Sequence, residues 1–304
     1  MTSSSRPSRL KPGDTVRFVS PASTPDKDFV DAAIKGIEGL GLKAELGRHV
    51  FDRHGYLAGR DADRLADLNA AFNDPVVRAV ITTRGGKGAY RIADGLDFTS
   101  AARDPKLLVG FSEITILHLA LWRHARLPGL HGACWSAETA GVLSADSFIC
   151  AVMTSEPIMV RARPDDPTAA LTSHGQARGI LLGGNLDMIA VAQGWILPDL
   201  SDAILLIEDV EKGLGHIDRH LTRLIKTGSL DRIRGIALGQ FTRCDTASGW
   251  TVIDVLRDRL APLGVPILGG LPFGHGEESV AVPVGTEALL DADAGTLTVD
   301  AAVA

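Results

Sequence analysis

The stretch Leu108-Val109-Gly110-Phe111-Ser112-Glu113-Ile114-Thr115 joins an apolar run to an amphipathic one through Gly-x-Ser. A serine at the turn from a buried strand into a helix can act as a nucleophile. The sharp turn lifts its hydroxyl above the sheet edge, and the next backbone N–H points to where an oxyanion would form. Ile114 stands where G-x-S-x-G has its second glycine, so the same residues also describe a serine that only caps a helix. Arg84-Gly85-Gly86-Lys87-Gly88 follows the preceding apolar run. In a parallel sheet it lies at the same carboxyl edge as Ser112, where ligands bind, and Gly85 and Gly86 can offer free N–H groups to an oxyanion. Spacing excludes a Walker phosphate loop, because Ile81 and Gly88 stand where that loop needs glycine and Ser or Thr.

A serine nucleophile needs a base. Glu208 closes the apolar run AILLIED, and His275 lies between two glycines in Leu271-Pro-Phe-Gly-His-Gly, where little side-chain crowding lets a partner approach its ring. A salt-bridged surface carboxylate and a solvated loop histidine are the competing readings. His216-x-x-x-His220 has the spacing of a zinc helix, but Ile217 replaces the glutamate of H-E-x-x-H, and we read the pair as a solvated helix face. No metal or cofactor is expected.

Positioning these residues requires alternating strands and helices. Residues 15–20, 76–82 and 106–111 read as strands that are apolar on both faces, and 26–40, 60–72 and 114–124 as helices. This is an α/β pattern, a parallel sheet covered on each side. The pattern degrades near 146–176, in a stretch rich in proline and polar residues. We therefore expect a nucleophile-bearing α/β domain at 10–150, a linker at 151–177 and a second domain at 178–304 that carries Glu208 and His275. The second domain reads as mixed α/β: strands at 178–182, 203–208, 234–241 and 266–269, helices at 217–226 and 252–260, and an antiparallel β-rich tail from residue 279.

The 304 residues suffice for two cores, and Cys134, Cys150 and Cys244 form no C-x-x-C pair, so a reducing cytoplasmic setting is expected. The net charge of −6 is spread without long runs of one sign, which gives no case for nucleic acid or an anionic membrane as a partner. No apolar run approaches a membrane span; the most apolar stretch, 179–197, is interrupted by Asn185, Asp187 and Gln193. The 33 glycines must sit at turns.

Taken in order, Ser-Pro-Ala-Ser (20–23), Tyr56-Leu-Ala-Gly59, Arg84-Gly-Gly-Lys-Gly88, Gly110-Phe-Ser-Glu-Ile114, Gly183-Gly-Asn185, Ile207-Glu-Asp209, Ile217-Asp-Arg219 and Phe273-Gly-His-Gly276 resemble the serine LD-carboxypeptidases, a family that includes muramoyltetrapeptide carboxypeptidases and microcin C immunity peptidases. The resemblance implies an N-terminal domain similar to class I glutamine amidotransferases and a triad of Ser112, His275 and Glu208 divided between the domains. It implies oxyanion donors at the N–H groups of Gly86 and Glu113, and a homodimer. The substrate would be a small peptide or an aminoacyl nucleotide, cleaved at an amide next to a carboxylate-bearing terminal residue. Lys87 and Arg219 are candidates for that carboxylate, Arg84 and Trp195 for further substrate contact, and Trp135 or Trp195 for stacking a base. Lys87, where the family usually has tyrosine, marks a departure in the pocket. The rival is a non-catalytic two-domain protein that binds a small ligand.

Overall fold

The computed structural model describes residues 6–132, 142–276 and 278–304; Cys134 and Trp135 lie outside the described residues. The N-terminal part alternates as expected: β1 (Thr15–Val19), α1 (Lys27–Gly39), β2 (Lys43–Leu46), α2 (Asp61–Asn73), β3 (Val77–Thr82), α3 (Phe98–Arg103), β4 (Leu107–Gly110), α4 (Thr115–Ala125), β5 (Gly129–His131) and α5 (Val142–Met153). Asp26 starts α1 by accepting the N–H groups of Asp28 and Phe29 at 2.9 and 3.2 Å. Strands β1 to β5 are mutually parallel. Short β2 and β5 carry too few residues to show a period, which is why the sequence reading passes over them.

The rest of the chain supplies β6 (Ile158–Arg161), β7 (Gln176–Asn185), α6 (Leu186–Ala192), β8 (Ala203–Val210), α7 (Leu214–Lys226), β9 (Gly235–Thr242), α8 (Val252–Leu260), β10 (Ile267–Leu268), β11 (Val282–Val284), β12 (Glu287–Asp291) and β13 (Thr296–Val299). Their seven-stranded sheet runs β10-β9-β8-β7-β12-β13-β6, parallel through β7 to β10 and antiparallel across β12, β13 and β6. The antiparallel tail is therefore present, with one exception: β11 leaves it and pairs antiparallel with β5, making the first sheet six-stranded, β11-β5-β4-β3-β1-β2. Residues 151–177 are structured too, holding the end of α5, β6 and a 3-10 turn at Pro167–Leu171. The apolar stretch 179–197 divides between the end of β7 and α6. Among the described residues no helix is long and apolar enough to cross a membrane.

What joins the halves is apolar. Thr115 to Trp122 are all buried, so α4 meets solvent only in its last turn; it packs against α3 on one side and against α6 and β7 on the other. One cluster of buried side chains runs from Val80 and Leu108 through Ile116 to Leu186, Leu205, Ile217 and Leu256. Asn185 N–H also donates to Thr115 Oγ1 at 2.9 Å. The carboxyl ends of β3 and β4 are thereby fixed against those of β7 and β8.

Candidate active site

Ser112 begins a 3-10 turn directly after β4, with φ of 61°. Holding a non-glycine residue in the left-handed region costs on the order of 1–3 kcal/mol and persists only where the surroundings impose it. A helix-capping serine does not need that conformation, whereas a nucleophile elbow does.

The loop after β3 comes up to this elbow. A side chain at Gly85 would put its Cβ 2.9 Å from Ser112 Cβ and 3.3 Å from the Glu113 backbone nitrogen, so only glycine lets the loop approach the serine. Gly86 follows with φ of 109°. Ser23 holds the outer side, its Oγ accepting from Lys87 N–H at 3.0 Å and donating to the Tyr56 carbonyl at 2.9 Å.

Glu208, near the end of β8, has no exposed surface, and its Oε2 lies 2.7 Å from His275 Nδ1. Because a carboxylate only accepts, Nδ1 carries the hydrogen and Nε2 is left with its lone pair free to accept one. Gly274, with φ of 118°, would place a Cβ 2.8 Å from Glu208 Oε2, so only glycine lets the chain pass flat against the carboxylate. The His275 ring packs on Phe111, the residue before Ser112, with ring centroids 4.8 Å apart.

Ser112 and His275 line the same two cavities. The smaller, of about 200 Å³, is walled by Phe29, Thr83, Arg84, Gly86 and Phe111. The larger, of about 580 Å³, spreads over Lys87, Tyr90, Asp187, Asp209, Lys212 and Arg243. Arg84 borders both, and Lys87 the larger. Trp195 is absent from both sets of walls: it is 39% exposed, and its Nε1–H donates to the Val191 carbonyl at 2.7 Å. Arg219, an exposed residue of α7, is absent from them as well.

Sequence reasoning missed the polar layer beneath the large cavity. Asp209 is fully buried, accepting from Asn185 Nδ2 at 3.0 Å; burial and the neighbouring Glu208 charge push its carboxyl up to about 6 against the pull of Val210 N–H. Lys212 pairs with Asp187. Burial opposes its charge, but the carboxylate outweighs that, and the ammonium titrates above the usual lysine range. His216 is exposed as expected, whereas His220 turns inward, 3.6 Å from Asp187, and burial lowers its pKa. His118 and His131 are buried close behind the elbow. Burial pushes them down to about 4 and about 3, and His118 Nε2 lies 2.9 Å from the Gly110 carbonyl oxygen. Among the described residues, only His49, Asp52 and Asp63 group as metal ligands could; they line neither cavity.

Two family descriptions match the chain: LD-carboxypeptidase N-terminal domain over residues 16–132 and LD-carboxypeptidase C-terminal domain over 178–290. The probable murein peptide carboxypeptidase of Bacillus subtilis is 34% identical, over 98% of this chain and 95% of that one. Among solved structures, a muramoyltetrapeptide carboxypeptidase from Oxalobacter formigenes superposes with a TM-score of 0.82 at 27% identity, covering 94% of this chain and 98% of that one. The microcin C7 self-immunity protein MccF, bound to glutamyl sulfamoyl guanosine, has the same fold, with a TM-score of 0.84 at 21% identity over 97% and 98% of the two chains. The chain belongs to the LD-carboxypeptidase family of serine peptidases, and it is a carboxypeptidase.

Proposed function

We propose that this carboxypeptidase hydrolyses the amide before a carboxylate-bearing terminal residue through a triad of Ser112, His275 and Glu208. Ser112 Oγ attacks the carbonyl while His275 Nε2 takes its proton. The N–H groups of Gly86 and Glu113 receive the oxyanion. The imidazolium protonates the leaving amine, and water then releases the acyl group by the same steps in reverse. The observation that carries this reading is the 2.7 Å contact between fully buried Glu208 and a histidine that shares two cavities with a left-handed serine. A non-catalytic binding protein has no need of a strained serine beside an oriented imidazole.

Arg84, on both cavity walls and without an ion-pair partner among the described residues, suits the terminal carboxylate. Lys87 is the second cation on the same loop. Trp195 and Arg219, off the walls, are weaker candidates for substrate contact. The division into 10–150, a connection at 151–177 and 178–304 puts the nucleophile on one unit and its base and orienting carboxylate on the other. Free Cys150 and Cys244 accord with a reducing cytoplasm. A homodimer is the expected assembly, to be read by light scattering.

Murein tetrapeptide is the substrate we favour, since the relative at 34% identity is named for murein peptides; an aminoacyl nucleotide is the second. The test is release of the terminal amino acid from each by the purified protein, together with fluorophosphonate labelling of wild type and Ser112→Ala. Turnover of at least one substrate and labelling lost in the variant are expected. Neither substrate turning over would refute the assignment.

A further inference from the structure

The carboxylate of Glu113 has no part in the triad just proposed, yet it is placed where the reaction would feel it. Its side chain is 4% exposed, and its Oε1 accepts two consecutive backbone N–H groups, those of Gly88 at 2.7 Å and Ala89 at 3.1 Å. These open the 3-10 turn Ala89–Arg91, which follows directly on the loop carrying Gly85 and Gly86. We propose that Glu113 is the positioning residue of the oxyanion site: its backbone N–H is one donor, and its carboxylate clamps the loop that supplies the other. This inference rests on the assignment of Ser112 as nucleophile.

Three observations favour a clamp over a merely satisfied buried acid. First, one residue links the two halves of the site. The Glu113 nitrogen is 3.3 Å from where a Gly85 Cβ would stand, and its carboxylate holds the loop three residues beyond Gly85. Loop and elbow therefore move together. Second, the loop's other tether, Ser23, holds the Gly85 carbonyl at 3.3 Å and the Lys87 N–H at 3.0 Å from the segment between β1 and α1, so it ties the loop to that segment and not to the elbow. Third, Gly85 and Gly86 have no side chains with which to brace the loop against the elbow, and the N–H groups at 88 and 89 tie it directly to the elbow residue Glu113. Burial raises the Glu113 pKa and the Gly88, Tyr90 and Ala89 N–H groups pull it back, as expected for an anion kept under cover by backbone dipoles. An oxyanion site works because its donors are fixed before charge develops, so a loosened loop should weaken transition-state binding and leave ground-state binding nearly unchanged.

The experiment compares kcat, KM and the Ki of a tetrahedral phosphonate analogue of the scissile amide for wild type, Glu113→Gln and Glu113→Ala, with Ser112→Ala as reference. Gln keeps the volume and one accepting oxygen; Ala removes both. We expect kcat to fall about tenfold for Gln and up to about a hundredfold for Ala, at most the low end of the ~10²–10³ for losing an oxyanion donor outright. Analogue affinity should fall in parallel, with KM within about threefold. A purely structural role would lower Tm in the same order but leave kcat per folded molecule and analogue affinity at wild-type values, and that result would overturn the inference. If the Ala variant does not fold, the Gln variant decides alone. Activity retained in Ser112→Ala would instead sink the nucleophile assignment, which keeps the two failures apart.

Discussion

Replacing Glu208 with glutamine removes one negative charge and almost no volume, so its effect follows from the geometry of a single contact. In the wild type the carboxylate lies 2.7 Å from His275 Nδ1 and has no exposed surface. When His275 takes the serine proton, a full charge pair forms with centres about 4 Å apart. At an effective dielectric near 20 that pair is worth about 4 kcal/mol, or on the order of 10³ in rate. The amide adds a second penalty, because its NH₂ can face Nδ1 only by forcing the hydrogen onto Nε2, where it blocks the base; the tautomer error in a serine triad costs about 10⁴. We therefore expect kcat of Glu208→Gln to fall about 10³–10⁴-fold. Glu208 lines neither cavity, so KM should stay within a few-fold. The assay is steady-state release of the terminal amino acid, with circular dichroism to confirm folding. A kcat within tenfold of wild type would refute the role given to Glu208, and a loss seen in KM alone would show that it serves binding.

Two more outcomes follow. His118 and His131 have folded-state pKa values depressed to about 4 and about 3, so below pH 6.5 the unfolded chain takes up two protons that the native state refuses, while Asp209, raised to about 6, takes one that the unfolded chain does not. The net of one proton over these three groups should cost about 1.4 kcal/mol of stability per pH unit on going from pH 6 to 5; urea titrations of wild type and a His118→Gln, His131→Gln variant showing the same slope over that interval would contradict the buried, neutral imidazoles. Arg84→Ala should raise KM for a substrate with a free terminal carboxylate by about tenfold or more and leave its amidated analogue untouched, as expected for a charge-assisted hydrogen bond. Equal effects on both substrates would remove Arg84 from that role.

The chemistry of the site was written locally, and its support was not. The strand-to-turn passage at Gly110-Phe-Ser112, the acid closing an apolar run at Glu208 and the histidine between Gly274 and Gly276 are each contiguous patterns, and the structure brings all three to one place. What escaped depends on contacts between distant residues. Strand β11 lies on the first sheet because Val282 pairs with His131, a partner that no period in either segment announces. Helix α6 hid inside an apolar stretch, since only Asp187 on its seven residues is polar, too few to mark a face. Asp209 looked like a neighbour of Glu208, yet its buried contact is Asn185, on the adjacent strand. The inward turn of His220 likewise needed Asp187 to be seen.

The central claim, that Ser112 is the nucleophile, is tested most directly by kcat of Ser112→Ala on a substrate the wild type cleaves, with folding checked by its thermal melt. The account predicts a loss of roughly 10⁴–10⁶-fold with an unchanged melt, on the scale of removing a triad nucleophile. A correctly folded variant that turns over within tenfold of the wild type would contradict it.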